Sequence, residues 1–149
     1  MAATKYLARD LAIEVESDTP DTFIAINGLN SLTHSPSTTR ADTTSFDSNG
    51  RDEHLPASRG ESWSLSGFSI EDVATGERDA GQLRVEELGR IVGPAGIARY
   101  RITSPGGNTI TFSASAEVTI HGGGHNDAAA WGAEVTVTGE PIYAGPTSS

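Results

Sequence analysis

The chain has 149 residues and a mass of 15.5 kDa, a length that fits one domain with its own buried core. It contains no cysteine, which excludes disulfide bonds and thiolate metal sites and fits a reducing compartment. Its formal net charge of -10 argues against a concentrated basic face that would bind nucleic-acid phosphates. Neither a signal peptide nor a membrane-spanning run is apparent, so we expect a soluble protein of its producer's cytoplasm, without a membrane partner.

The first part of the chain predicts two short strands and then a long loop. Residues 1–10 have no periodicity and are expected to form an N-terminal arm. Apolar and polar residues alternate over 11–16 and again over 23–26, which predicts two strands. From 29 to 58 the alternation stops and Ser, Thr, Asp and Asn dominate, so we expect a long polar loop that contacts neighbouring subunits. A single domain over 11–141 and a polar C-terminal tail at 142–149 complete this division.

The second part predicts more strands and a single helix. A strand over 61–70 changes phase near Gly67, which suggests a bulge at that glycine. A helix is expected within 72–92, with its apolar face formed by Ala80, Leu83, Leu88, Ile91 and Val92. A strand over 97–104 follows, and then two long alternating runs at 109–121 and 131–140 flank a glycine-rich tip, as in a β-hairpin.

Candidate chemical groups are present but do not form a recognisable catalytic set. His121 and His125 could chelate a metal, but the glycines between them favour a solvated hairpin tip. His34 and His54 lie in the polar stretch, and adjacent acids such as Glu86 and Glu87 are expected to face water. The glycine-rich turns at 93–96 and 105–108 lack the lysine and helix of a phosphate loop. We therefore expect no enzyme activity, catalytic residue, cofactor or metal.

The two tryptophans offer a different kind of site. Trp63 and Trp131 could form a platform on which a sugar ring stacks. A tryptophan on the apolar side of a strand more often belongs to a core or an interface, so we favour that interpretation.

The order and length of the segments carry a family resemblance. The sequence pieces involved are Ala25-Ile-Asn-Gly-Leu-Asn, Arg59-Gly-Glu-Ser-Trp-Ser-Leu-Ser-Gly, Asp79-Ala-Gly-Gln-Leu, Tyr100-Arg-Ile-Thr-Ser-Pro-Gly-Gly-Asn, Thr111-Phe-Ser-Ala, and Asn126-Asp through Val137-Thr-Gly-Glu-Pro. Over residues 22–141 the chain resembles the major tail tube protein of long, non-contractile-tailed (siphovirus-type) bacteriophages. No single motif is specific, since each is a short strand with its turn.

This resemblance implies a mainly β fold, a β-sandwich or split barrel with one flanking α-helix. It implies rings of six copies whose sheets join into a barrel around a channel, and rings that stack into a tube in the virion tail. It also implies the phage's tail terminator, tape measure and baseplate or tip proteins as partners, with assembly in the bacterial host cytoplasm. Genomic DNA would pass through the channel without specific binding.

An acidic, hydroxyl-rich wall lets DNA slide, whereas a basic wall would hold it. We therefore expect the polar side of the late strands to face the channel. The residues expected there are Glu117, Glu134, Glu140, Thr119 and Thr136. Deletion of about residues 31–49 is expected to leave a folded monomer that cannot polymerise.

Two alternatives to a tube subunit stay open at this point. A stand-alone β-sandwich binding module for carbohydrate or protein would be monomeric and would use Trp63 or Trp131. A tail terminator or connector protein would form one ring at an end of the tail and would not self-polymerise.

Overall fold

The computed structural model describes residues 4–146, and at His121 it describes the backbone only. Residues 1–3 of the predicted N-terminal arm and residues 147–149 of the predicted C-terminal tail lie outside that range. In chain order the elements are β1 (Ala12–Glu16), β2 (Phe23–Ala25), β3 (Leu29–Asp42), β4 (His54–Phe68), α1 (Ala80–Gly89), β5 (Ala98–Thr103), β6 (Thr109–Gly122) and β7 (Ala130–Ala144). Short 3-10 turns occur at Ala8–Asp10, Phe46–Ser48 and Pro94–Gly96.

All seven strands belong to one antiparallel sheet with the order β2-β1-β5-β6-β7-β4-β3. A flat sheet of seven strands would be about 29 Å wide. Its two edge strands, β2 and β3, are joined by residues 26–28, which span about 15 Å at most. The sheet is therefore curled, and the predicted mainly β fold with one helix is confirmed in the form of a split barrel.

The segment that joins the two edges is bonded to both sides of the opening. The Ile26 amide donates to the Ile13 carbonyl at 2.9 Å, and the Phe68 amide donates to the Gly28 carbonyl at 2.9 Å. A Cβ added to Gly67 would lie 2.2 Å from the Gly28 oxygen, so only glycine permits this close approach. Beside Gly67 the bulge lies in β3, between Leu29 and Ser31. The prediction that placed it in β4 at Gly67 is wrong.

The core lies on the inner side of the curl and under α1. It is built from apolar residues of the long strands and the helix, among them Val15, Leu65, Val85, Leu88, Tyr100, Phe112, Trp131 and Val135. The rings of Tyr100 and Phe112 stack at 5.9 Å, and those of Phe112 and Trp63 at 6.0 Å. Because every inner-facing side chain alternates with an outer one, the same strands expose a polar surface on the outside of the curl.

The prediction of a long loop at residues 29–58 is wrong, because most of this stretch forms paired strands. Residues 29–42 form β3 and residues 54–58 begin β4, and the two strands pair from Leu29 to Asp42. Both faces of this hairpin are largely polar, which removes the alternation that identifies a half-buried strand. The predicted tail is also shorter than expected, because Ile142 to Ala144 continue β7 and pair with β6.

The helix begins after Asp79, whose side chain accepts a hydrogen bond from the Gln82 amide at 3.1 Å. Its buried residues are Gly81, Gln82, Val85, Glu86 and Leu88. The predicted apolar face is therefore mostly wrong: Leu83, Ile91 and Val92 are exposed, and two polar residues are buried in their place.

Candidate functional site

Four of the five residues expected to face a channel lie on one surface. Glu117 and Thr119 on β6 and Glu134 and Thr136 on β7 are all exposed. The alternate residues of these strands face the helix: Val118 packs near Gly89, and Trp131 bonds to Glu86. The four side chains thus project from the outside of the curl, away from α1.

The strand register extends this surface across two more strands. Thr33, Ser64, Glu134 and Glu117 form one row across β3, β4, β7 and β6. The neighbouring rows add only small or hydroxyl-bearing residues. Together they make the hydroxyl face, whose side chains are Ser31, Thr33, Ser35, Ser62, Ser64, Ser66, Ser113, Ser115, Glu117, Thr119, Glu134, Thr136 and Thr138.

Glu117 and Glu134 are the charged residues of the hydroxyl face, and they stand directly opposite each other. Two like charges in this position repel each other and slightly destabilise an isolated sheet. No salt bridge to either carboxylate forms within residues 4–146. The surface therefore combines a patch of concentrated negative charge with a wide hydroxyl area.

The cations beside the hydroxyl face are already paired. Arg99 and Arg101 on β5 continue the same side of the sheet, opposite Ser113 and Thr111. Arg99 bonds to Glu16 at 2.6 Å and also to Asp21, and Arg101 bonds to Glu14 at 3.1 Å. Hydrogen bonds from Arg99 lower the pKa of Glu16 despite its partial burial. Carboxylates of β1 thus neutralise both arginines, and neither arginine compensates the charges of Glu117 and Glu134.

Glu140 does not lie in these rows. Between Thr138 and Ile142 the pairing of β7 with β6 is interrupted, and residues 139–141 fall in this irregular stretch. Glu140 lines a recess of about 490 Å³ together with Arg59, Glu61, Val137 and Tyr143. The structure thus separates Glu140 from the other four residues expected to line a channel.

The outer half of the hairpin formed by β3 and β4 leaves the sheet. The last pair between β4 and β7 is Ser62 with Thr136, whereas β3 and β4 stay paired as far as Asp42 with His54. We call residues 36–61 the arm; this segment is distinct from the N-terminal arm predicted for residues 1–10. Phe46, in the turn at its end, is fully exposed.

Two buried polar side chains escaped the sequence reasoning. Glu86, expected to face water, is 3% exposed; it receives hydrogen bonds from Arg78 at 2.6 and 2.8 Å and from the Trp131 indole at 3.2 Å. Burial of Glu86 opposes its charged form, but the hydrogen bonds and charge of Arg78 outweigh burial and lower its pKa. Helical spacing could not reveal this site, because its partners come from outside α1.

Gln82 is the second, with no exposed surface. Its side-chain amide donates to the Asn27 and Phe68 carbonyls at 2.8 Å each and accepts from the Ile70 amide at 3.3 Å. These bonds join α1 to the segment that connects β2 with β3 and to the end of β4. Gln82 thereby positions the base of the hairpin that carries the arm.

The alternative sites have little support in the geometry. Trp131 is buried, and Trp63 is stacked between His34 and Phe112, so neither presents an open platform for a sugar. His34 also bonds to Glu61 at 3.0 Å. Within the described residues no group of three or more metal-binding side chains is placed to hold an ion. None of the helices in residues 4–146 has the length and apolar character needed to cross a membrane.

Comparison with known proteins is informative at the level of structure. No protein-family model matches the sequence, and no curated protein matches it. A chain from the tail of an empty gene transfer agent particle, solved with C6 symmetry, is 19% identical with a TM-score of 0.72, and the match covers 94% of this chain and 99% of that one. The SPP1 tail tube is 14% identical with a TM-score of 0.70, over 97% of this chain and 81% of that one.

A chain in the sheath-tube complex of an extracellular contractile injection system is also similar. It is 14% identical with a TM-score of 0.62, and the match covers 95% of this chain and 92% of that one. These matches span nearly the whole chain. The protein therefore has the fold found in phage and phage-like tail tubes.

Proposed function

We propose that the chain is a structural subunit of the tail tube of a phage or phage-like particle. Copies of it assemble into rings of six, and the rings stack around a channel through which DNA passes. The near-complete match to chains of the SPP1 tail tube and of a tail with C6 symmetry supports this proposal. The function is mechanical, so no catalytic group, cofactor or metal is part of it.

The observation that carries the proposal is the hydroxyl face. It extends over four strands of a curled sheet, lacks a basic side chain, and contains one pair of facing carboxylates. DNA carries one negative charge per about 1.7 Å of its axis, and each phosphate bound by Lys or Arg adds to the affinity. A wall made of hydroxyls and carboxylates offers no such contacts and leaves DNA free to slide.

The same sheet has the edges that a ring requires. β2 and β3 are its outermost strands, and they differ in length and sequence. Contact between the β3 edge of one copy and the β2 side of the next is head-to-tail, and head-to-tail contacts form a ring when the rotation from copy to copy closes. In this arrangement the outer faces of adjacent sheets form one continuous wall.

The surrounding partners follow from the same proposal. The tube lies in the virion tail, ends at a tail terminator and at baseplate or tip proteins, and forms around a tape measure protein. Its subunits are made in the bacterial host cytoplasm before assembly.

Negative-stain electron microscopy of the purified protein tests the proposed function. Stacked rings with a central channel are expected when the protein is concentrated. Compact monodisperse particles would instead support the stand-alone binding module, and single rings that never stack would support a terminator or connector.

A further inference from the structure

The outer surface of the sheet continues past the hydroxyl face onto β5, β1 and β2. Two neighbouring rows of side chains run from β6 to the β2 edge, and each row contains one arginine beside one carboxylate. The rows are Ser113, Arg99, Glu16 and Phe23, and Thr111, Arg101, Glu14 and Ala25. Two cations per copy therefore belong to the surface that is proposed to line a channel for DNA.

Arg99 and Arg101, which we call the arginine pair, have the features of a nucleic-acid contact. Their side chains are 40% and 36% exposed, so a molecule that passes over this surface comes within reach of both guanidinium groups. A guanidinium group binds phosphate oxygens through two parallel N–H donors. Two such groups on one surface, repeated in every copy of a tube, would add phosphate contacts along the whole path of the DNA.

An aromatic ring holds the arginine pair together. The Cζ atom of Arg101 lies 4.3 Å from the centroid of the Phe23 ring, and the Cζ atom of Arg99 lies 5.6 Å from it. Both distances are within the range of a cation–π interaction. Because the ring has no oxygen acceptor, it positions the two cations without using their N–H donors.

Carboxylates of β1 occupy the donors that a phosphate would use. Arg101 donates from Nε and Nη2 to the two carboxylate oxygens of Glu14, at 3.2 and 3.1 Å. Arg99 donates from Nε and Nη2 to one oxygen of Glu16, at 3.2 and 2.6 Å. In both arginines these bonds take up one of the edges that bind a phosphate in a bidentate manner.

The turn between β1 and β2 adds a second carboxylate to Arg99. Asp21 has a φ of 63°, an uncommon conformation for a residue other than glycine. In this conformation its amide donates to the Glu16 carboxylate at 3.1 Å, and its own carboxylate accepts a hydrogen bond from Nη2 of Arg99. Asp21 thus fixes the position of Glu16 and supplies a further negative charge. We call Glu14, Glu16 and Asp21 the acid cluster.

The carboxylates of the hydroxyl face are too distant to replace the acid cluster. Glu117 is four residues along β6 from Ser113, the strand partner of Arg99, which corresponds to about 14 Å of strand. The Debye length at physiological ionic strength is about 8 Å, so exposed charges at that separation are largely screened from each other. The arginine pair is therefore neutralised by the acid cluster and not by the general negative charge of the surface.

We propose that the arginine pair is a latent binding site for nucleic-acid phosphates and that the acid cluster keeps this site closed. Its ligand class is the phosphodiester backbone, without regard to base sequence. The inference rests on the proposed function for its purpose, because a closed site leaves DNA free to slide past two cations of the wall.

The stability of the sheet does not by itself account for the acid cluster. Ion pairs between partly exposed side chains contribute little to the free energy of unfolding. Hydroxyl residues occupy the same outer side of β6 and β7, where the strands pair without any arginine. The arginines bridge β5 to β1 and to the turn that follows it, and the acids allow them to do so without presenting a free cation.

Direct binding of DNA tests the latent site. The probe is a short, fluorescently labelled DNA duplex of mixed sequence, and fluorescence anisotropy is measured on the protein that remains after tubes have been removed by sedimentation. The open variant carries Glu14→Gln and Glu16→Gln, which leave both arginines in place. The matched control carries Glu117→Gln and Glu134→Gln, which remove the same number of charges from the same side of the sheet but release no ion pair within residues 4–146.

We expect the open variant to bind the duplex several-fold more tightly than the control at low salt, with an affinity that falls as salt is added. The wild type is expected to bind no more tightly than the control. Equal binding by the two variants would overturn the proposal, because net charge alone would then explain the result. Absence of binding by an open variant that melts cooperatively would also overturn it.

Removal of the cations tests whether the arginine pair is the site. Addition of Arg99→Gln and Arg101→Gln to the open variant is expected to abolish the binding, and persistent binding would contradict the assignment. If the open variant does not melt cooperatively, Glu14→Gln alone is compared with Glu117→Gln alone. Equal binding by these two single variants would overturn the proposal at Arg101.

The outcome is separable from that of the proposed function, because sedimentation of the wild type shows independently whether tubes form. Tubes from the wild type without DNA binding by the open variant would remove the latent site and leave the tube. DNA binding by the open variant of a protein that forms no tubes would keep the site and remove the tube. Absence of both would overturn both.

Discussion

Glu117 on β6 and Glu134 on β7 are paired directly opposite each other on the outer face of the sheet, and both are exposed. An isolated domain gains nothing from this arrangement, since like charges across a strand pair cost up to about 1 kcal/mol. Their position amid hydroxyl side chains has a physical purpose if the face lines a channel for a polyanion.

The first prediction concerns the accessibility of Glu134. In assembled tubes, the Glu134→Cys variant is expected to react with a small maleimide but much more slowly with a maleimide attached to a large polymer, because the polymer cannot enter the channel. The same substitution in a protein whose arm has been shortened, and which stays monomeric, serves as the control and should react with both reagents. Equal reaction of the tube with both reagents would place Glu134 outside the channel.

The second prediction concerns Glu86. Glu86→Gln leaves the partly buried Arg78 without its charged partner and is expected to cost about 3 kcal/mol of unfolding free energy, the lower end of the cost of breaking a buried ion pair. Glu87→Gln is the control, because the Glu87 side chain is half exposed and within residues 4–146 its carboxylate forms an ion pair with Arg84 alone, at 3.7 Å, so its loss should cost less than about 1 kcal/mol. Chemical denaturation of both variants measures the difference, and equal costs would contradict the structural role of Glu86.

Lowering the pH should destabilise the folded protein by protonating the carboxylate of Glu86. The folded-state pKa of Glu86 lies below its ordinary value of 4.5, so its stabilising contribution is present above that pH and is lost as the pH falls through the folded pKa. The stability of the wild type should therefore decline more steeply than that of Glu86→Gln below pH 4.5. Parallel pH profiles would show that Glu86 is not responsible.

The third prediction concerns the close approach at Gly67. A methyl group at Gly67 would overlap the Gly28 carbonyl, so Gly67→Ala is expected to destabilise by about 3 kcal/mol and to lower Tm by about 6–12 °C. At Gly106 the nearest atom to an added Cβ is 3.9 Å away, so Gly106→Ala should leave Tm nearly unchanged. Thermal unfolding decides between them; a tolerated Gly67→Ala would contradict the geometry of this crossing.

The fourth prediction concerns the arm. Because residues 31–35 pair with β4 inside the main sheet, deletion of 31–49 would damage the barrel as well as the arm. A sharper truncation joins Ser37 to Gly60, which are paired residues, through an Asn-Gly turn. We expect this protein to melt cooperatively as a monomer and to form no tubes, as measured by thermal unfolding and sedimentation. Tubes of normal length would show that the arm has no role in assembly.

Strands with one apolar and one polar side could be predicted from the sequence. The run that became β6 was predicted nearly to the residue, since Phe112 and Val118 alternate with Ser, Thr and Glu. The run that became β7 was predicted correctly at its start but was ended four residues too early. The same reasoning missed β3 and the start of β4. Their outer parts pair with each other and not with the core, so Ser37, Thr38 and Arg40 have no reason to alternate in polarity.

The hydroxyl face could be predicted only in part, because alternation locates residues within one strand and does not give the register between strands. Glu117, Thr119, Glu134 and Thr136 were found from their strands, but their continuation through Ser64 and Thr33 depends on register between strands far apart in the chain. Glu140 lies apart from these rows because the pairing of β7 with β6 is interrupted after Thr138, which cannot be read from alternation. Burial of Gln82 and Glu86 likewise depends on partners outside the helix.

The position of the hydroxyl face is tested most directly by a helical reconstruction, by electron cryomicroscopy, of the filaments that the purified protein forms. We expect hollow tubes of stacked six-membered rings, with Glu117, Glu134 and the surrounding hydroxyl residues on the channel wall. Tubes with this face on their exterior, or a protein that stays compact and monodisperse at high concentration, would contradict this expectation.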